Sequence, residues 1–197
     1  MSQTEITVQI FEDIENVKNK LSSLSFDYID TFSGNDSYFS ILQPIEVNNS
    51  TYKTLMDSSI IVRSYSKASS NSQEAMVIHK QKTLDENGNT IGEVKTSVKI
   101  DNQANAVTLL KNAGLTNWLN LSQENHFYKK DEITIIIGTV AGLSGCFMEI
   151  EEYNSIKHLP EHEKFNTLKQ FVLNLNFNIG TDFSCKKSLM LFNKNKV

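Results

Sequence analysis

Two segments far apart in the chain alternate apolar and polar residues with a period of two. In 5–11, Ile6, Val8 and Ile10 share one face while Glu5, Thr7 and Gln9 share the other. In 146–152, Met148 and Ile150 lie opposite Glu149 and Glu151. A period of two is the signature of a half-buried β-strand. The polar faces of these strands carry charges where a core-facing strand would carry Val or Leu, and a β-barrel accommodates that pattern by turning the charges into its lumen.

The remaining periodicities alternate strands with helices. Asp13 is placed to cap a helix whose Ile14, Val17, Leu21 and Leu24 recur at spacings of three and four. A second strand is expected over 36–42, closed by Pro44, then a polar loop over 46–57 and a third strand over 59–65. A loop over 67–74 leads to a fourth strand, 75–82. Asn87-Gly88 within DENGN predicts a hairpin to a fifth strand, 91–100. Asp101 is expected to cap a helix presenting Ala104, Val107, Leu110 and Ala113, stopped by Gly114. After Trp118 and a polar spacer, strands over 126–129 and 132–140 flank a turn at Lys130-Asp131. A third helix is expected over 160–173, and a short strand or turn over 182–192. No repeat and no linker divides the chain, so the expectation is one α+β domain over 1–197, with about eight strands and three main helices.

Composition removes several function classes. With 19 basic and 23 acidic residues the net charge is −4, which argues against a duplex-binding protein and its basic field. A chain of this length buries roughly 70% of its unfolded surface, so a proper core is feasible. Cys146 and Cys185, the only two cysteines, lie far apart and outside any paired spacing, so neither a disulfide framework nor a zinc cluster is written here. The first twenty residues have no apolar signal region, and no stretch approaches the ~18 apolar residues of a membrane span. The expectation is a soluble cytoplasmic protein with no nucleic-acid or membrane partner; a homodimer is compatible with it. His158 and His162 flank Pro160 and form no zinc-binding pattern, and Cys146 reads as a small buried hydrophobe. Carboxylates two apart on a strand, as at Glu149 and Glu151, suit a hard divalent cation such as Mg²⁺ or Mn²⁺. Only one arginine occurs, Arg63.

Seven short motifs follow in a recognisable order. They are Glu5-Ile-Thr-Val-Gln9, the Asp-x-Tyr-Phe element at 36–39, Ile61-Val-Arg63, Ile78-His-Lys80, Gly142-Leu143, Phe147-Met-Glu149-Ile-Glu151, and Lys186-Lys187-Ser188-Leu189. In this order the chain resembles the CYTH superfamily, the triphosphate-tunnel proteins that include class IV adenylate cyclases, thiamine triphosphatases and inorganic triphosphatases. The resemblance implies a closed barrel of eight antiparallel strands with helices outside. It implies that Arg63, Lys80, Lys187 (or its neighbour Lys186) and one of Lys129 or Lys130 bind phosphate, that Glu149 and Glu151 hold one Mg²⁺ or Mn²⁺, and that Glu5, Lys80, Glu149 and Glu151 form the catalytic set. The ligand implied is a nucleoside triphosphate, thiamine triphosphate or inorganic tripolyphosphate.

The departures from that pattern bear on turnover. Thr7 and Gln9 stand where the family has a glutamate and a lysine, Gly138 and Thr139 where an acid usually precedes the glycine loop, and Lys95 and Ser97 where acids are common. Losing a transition-state contact commonly costs ~10² to 10³ in rate. Two functions are therefore expected from this sequence: a metal-dependent phosphohydrolase or adenylate cyclase-like enzyme of weak activity, or a binding module that keeps the anionic ligand and has lost turnover.

Overall fold

The structure is a computed structural model that describes residues 4–57, 59–70, 72–84 and 90–196, with 80–84 and 90–94 described by their backbone. In chain order the elements are β1 (Glu5–Ile10), α1 (Ile14–Ser23), β2 (Asp27–Ser40), α2 (Pro44–Asn49), α3 (Tyr52–Asp57), β3 (Ile60–Lys67), β4 (Ser72–Leu84) and β5 (Thr90–Ile100). There follow α4 (Gln103–Asn112), β6 (Thr116–Lys130), β7 (Ile133–Val140), β8 (Cys146–Glu151), α5 (Glu161–Asn174) and α6 (Lys187–Asn195). The strands form an antiparallel sheet in the order β1-β8-β7-β6-β2-β3-β4-β5, so the α+β architecture with eight strands is as expected. Closing that sheet into a barrel would require β1 to pair with β5, and no such ladder occurs among the described residues. Among the described residues no helix is long and apolar enough to cross a membrane.

The chain divides into two compact units. The described residues of the first are 4–32 and 123–191, and those of the second 33–57, 59–70, 72–84, 90–122 and 192–196. In the first unit the apolar faces of three strands supply Ile6, Val8, Ile10, Ile135, Ile137, Met148 and Ile150 to one core, covered by Val17 and Leu21 of α1 and Leu168 and Val172 of α5. Each such side chain contributes about 1.5–3 kcal/mol by leaving water. Asp13 caps α1 as expected, its carboxylate accepting from the Glu15 N–H at 2.9 Å. In the second unit Val47, Leu55 and Phe192 are buried together, with Tyr52 and Trp118 packed against them.

Several elements differ from expectation for identifiable reasons. The stretch 46–57 is not a loop: Pro44 opens α2 instead of closing a strand, and the Glu46 carboxylate accepts from the Gln43 N–H at 2.7 Å. At six residues each α2 and α3 are too short to be stable alone, and burial of Val47 and Leu55 stabilises them in place of strong intrinsic propensity. The spacer after Trp118 is the first half of the 15-residue strand β6, which buries Leu119 and Leu121 on one face. Strand β2 begins nine residues earlier than 36. Asn102, not Asp101, caps α4, accepting from the Asn105 N–H at 3.1 Å. Residues 187–195 form a helix where a short strand or turn was expected. The expected antiparallel pairing of the fourth and fifth strands is present, while the Asn87-Gly88 turn lies outside the described residues.

The outer edge of β1 has its own partner. The Thr7 N–H donates to Phe183 O at 3.1 Å, and the Cys185 N–H donates to Thr7 O at 3.0 Å. Gly180 N–H donates to Gln9 O at 2.8 Å and Phe11 N–H to Asn178 O at 2.9 Å. The chain over 178–185 thus satisfies edge groups that would otherwise be unpaired.

The loop before β8 is tied to β1 from the inner side. Gly145 has φ +73°, and a Cβ there would stand 2.5 Å from the Ile10 carbonyl oxygen, while the Gln9 carboxamide donates to Ser144 O at 2.9 Å. Gly145→Ala is expected to destabilise the fold by about 2–3 kcal/mol, combining left-handed strain with a backbone clash. Urea unfolding measures it, and a variant as stable as the wild type would contradict this close approach.

Candidate functional site

The polar faces of β1 and β8 meet in register. Glu5 lies opposite Glu151 and Thr7 opposite Glu149, so alternation on two adjacent strands places three carboxylates on one face of the first unit. The Thr7 hydroxyl donates to Glu5 Oε1 at 3.2 Å. The C-terminal segment brings a cation to the same place. Asp182 accepts from the Ser184 N–H at 2.8 Å and from its hydroxyl at 2.9 Å, Thr7 fixes the segment through its backbone, and α6 then starts at Lys187. The Lys187 ammonium forms an ion pair with Glu149 and donates to Gln123 Oε1 at 2.9 Å. Its side chain is 14% exposed and that of Glu149 18%, so water screens this pair less than it would a surface pair.

The pKa of Glu5 is pushed above the ordinary carboxylate range. Burial is the largest cause, followed by the negative charges of Glu149 and Glu151, while the Thr7 hydroxyl and the Lys187 charge oppose the shift. Glu5 as a whole residue is nonetheless exposed, so solvent moderates these charges.

Lys129 and Lys130 part company, because neighbours on a strand point to opposite sides. Lys129 shares its face of β6 with Gln123, Asn125 and Phe127, the face on which Gln123 meets Lys187. Lys130 donates instead to Leu24 O at 2.9 Å, at the end of α1. Gly138 pairs with Asn125 across β7 and β6, and a Cβ at 138 would stand 2.2 Å from Asn125 Oδ1. That oxygen is buried with no hydrogen-bond partner among the described residues, and an acid at 138 would have to displace the carboxamide.

Carboxylate oxygens are the right donor type for Mg²⁺ or Mn²⁺. The set as arranged does not form a resident site: Glu149 is engaged by Lys187, and among the described residues no three His, Cys, Asp or Glu side chains gather closely enough to hold a metal ion.

In the second unit Arg63 is also engaged. Its Nε donates to Asp36 Oδ1 at 2.7 Å and its Nη2 to Asp36 Oδ2 at 2.6 Å, a two-pronged pair in which the Asp36 side chain is 2% exposed and that of Arg63 32%. Lys80 pairs through its backbone with Lys95, and its side chain lies outside the described residues. Sequence reading did not anticipate Asp36 as the partner of Arg63, nor Gln123 as a partner of Lys187. A single arginine and an acid inside a β-rich motif were a legible signal for the first; nothing local marked the second.

No family model and no curated protein matches the chain. Solved structures do. A protein of Pyrococcus horikoshii superposes with a TM-score of 0.67 at 18% identity, over 97% of this chain and 99% of its own. A candidate adenylyl cyclase from Hippeastrum, with a dominant triphosphatase activity, gives 0.60 at 14% identity over 100% of this chain and 97% of its own. A candidate adenylate cyclase from Vibrio parahaemolyticus gives 0.60 at 11% identity over 98% and 99%. The chain shares the fold of these proteins, and at such identities the likeness speaks for the fold alone.

The raised pKa of Glu5 has a sign that stability measurements can read. The native carboxyl holds its proton to higher pH than the unfolded one, so the stability tied to Glu5 is full below the unfolded value and falls as pH rises through the native value. Glu5→Gln keeps an acceptor for Thr7 and removes the charge. It is expected to raise the melting temperature near neutral pH, with the gain shrinking as the buffer is brought below the ordinary carboxylate pKa. An equal loss at both pH values would show that Glu5 is not repelled by its neighbours.

Proposed function

We propose that this chain binds triphosphate-containing compounds, namely a nucleoside triphosphate, thiamine triphosphate or inorganic tripolyphosphate, and acts on them as a slow phosphohydrolase or adenylate cyclase-like enzyme. The observation that carries this reading is the gathering of Glu5, Glu149, Glu151 and Lys187 on one sheet face, held by the C-terminal segment. The fold shared with a protein of dominant triphosphatase activity supports it. Phosphoryl transfer asks of a protein mainly positioning and charge stabilisation. In this reading Lys187 exchanges its Glu149 partner for a phosphate oxygen. Glu5, whose pKa burial and its carboxylate neighbours raise, holds or takes a proton at an attacking or leaving oxygen.

A second reading, a binding module without turnover, draws on different residues. Thr7, Gln9 and Gly138 stand where the resemblance expects ionisable groups, and each is occupied structurally. Thr7 donates to Glu5, Gln9 holds Ser144, and Gly138 leaves room for Asn125. The Arg63 fork is likewise directed at Asp36.

Tripolyphosphate, ATP and thiamine triphosphate, each with and without Mg²⁺, separate the two readings when melting temperature and product are measured together. Ligand at a hundredfold excess over its Kd stabilises by about 2.7 kcal/mol, so tripolyphosphate should raise the melting temperature more than orthophosphate does. The enzymatic reading expects slow product formation that falls by ~10² in Glu149→Gln. A thermal shift without product selects the binding module. If no triphosphate shifts the melt at millimolar concentration, both readings fail.

A further inference from the structure

Lysine is an unfavourable residue at the start of a helix. The helix dipole presents partial positive charge there, and a cation in the first turn costs a few tenths to about 1 kcal/mol. Lys187 nonetheless opens the nine-residue helix α6, and its side chain turns into the sheet face instead of toward solvent. Two partners account for that placement, the Glu149 carboxylate and the Gln123 side-chain oxygen, and the backbone bonds of Thr7 to Phe183 and Cys185 fix the reach. Thr7 is also the register partner of Glu149. One residue of β1 therefore both anchors the C-terminal segment and faces the acid that the segment's lysine neutralises.

The same face holds three carboxylates, whose mutual repulsion reaches Glu5 from both Glu149 and Glu151. Such a face needs a counter-cation. Where oxygen ligands of this type would otherwise collect a divalent ion, the ammonium already occupies Glu149, and no metal-holding group of three ligands forms among the described residues. We propose that Lys187 is the built-in counter-cation of this face: it takes at Glu149 the place of a divalent metal ion, and such an ion binds there only by displacing it.

The proposal concerns the same face as the triphosphate reading but does not depend on turnover. It is tested by titrating the full chain with Mn²⁺ alone and following the free-ion signal by electron paramagnetic resonance. Lys187→Met removes the charge and keeps most of the length, and is expected to bind Mn²⁺ about tenfold or more tightly than the wild type, since a unit positive charge next to the ligand is gone. Lys187→Arg keeps the charge and should stay as weak as the wild type. Glu149→Gln added to Lys187→Met should abolish the gain, which ties the new site to that carboxylate. Equal Mn²⁺ affinity in the wild type and Lys187→Met would overturn the proposal, as would a gain that survives in the double variant. Circular dichroism on each variant shows that it is folded, and Lys187→Gln, which removes the charge but keeps a hydrogen-bonding side chain, takes the place of Lys187→Met under the same outcomes if Lys187→Met does not fold. A tripolyphosphate melt of the wild type reports separately on the triphosphate reading, so failure of one is not failure of the other.

Discussion

A strand at the edge of a sheet must find partners for every second N–H and C=O along its length, and in β1 the residue at the centre of that requirement is Thr7. Its N–H and C=O are taken by Phe183 and Cys185, while its side chain donates to Glu5 and its register partner is Glu149. Backbone hydrogen bonding thus decides where the C-terminal segment runs, and hence where Lys187 arrives. Had the segment docked one residue along β1, period-two alternation would have presented it to the core side of the strand. The charged face and the apolar core are two consequences of one register.

Within each unit the charges are arranged in compensating sets. In the first unit Lys187 offsets Glu149, and Thr7 offers a hydrogen bond to the Glu5 carboxyl, whose proton burial and repulsion help to retain. In the second unit Arg63 and the deeply buried Asp36 form a fork of two hydrogen bonds. Removing Arg63 would leave a carboxylate in a nearly dry site, a change whose cost in folding is commonly several kcal/mol. Loss of binding in an Arg63 variant therefore counts for phosphate recognition only when folding has been checked.

What the sequence made legible follows physical lines. The alternating strands, the Asp13 cap and the apolar stripes of α1 and α5 were readable because each depends on residues close together in the chain. The short helices over 44–57 were not, because their stability comes from packing among Val47, Leu55, Tyr52, Trp118 and Phe192, and no local pattern encodes that. Strand β6 was read only over its last part, 126–129, because Asn117, Asn120 and Ser122 look like loop residues. In the structure they find partners in Tyr38 O, Asn117 Oδ1 and Asn35 Oδ1. For the site, the resemblance pointed to Glu5, Glu149, Glu151 and Lys187, which lie together, and left open which of Lys129 and Lys130 shares their face. Strand alternation selects Lys129. Asp36 as the partner of Arg63 went unread although a lone arginine and an acid in a β-rich motif hinted at it, and the Lys187–Glu149 pair was not legible, since Glu149 belongs to a strand remote from α6 in sequence.

Hydrogen bonding of 183–185 to β1 at Thr7 is what delivers Lys187 to Glu149, and amide hydrogen exchange read residue by residue by NMR tests it most directly. The Thr7 and Cys185 amides are predicted to exchange as slowly as the amides of the β1–β8 ladder, such as those of Ile6 and Met148, because all of them open together. Rapid exchange at Thr7 and Cys185 beside a protected β1–β8 ladder would contradict it, since the edge of β1 would then be open and the lysine would have no anchor.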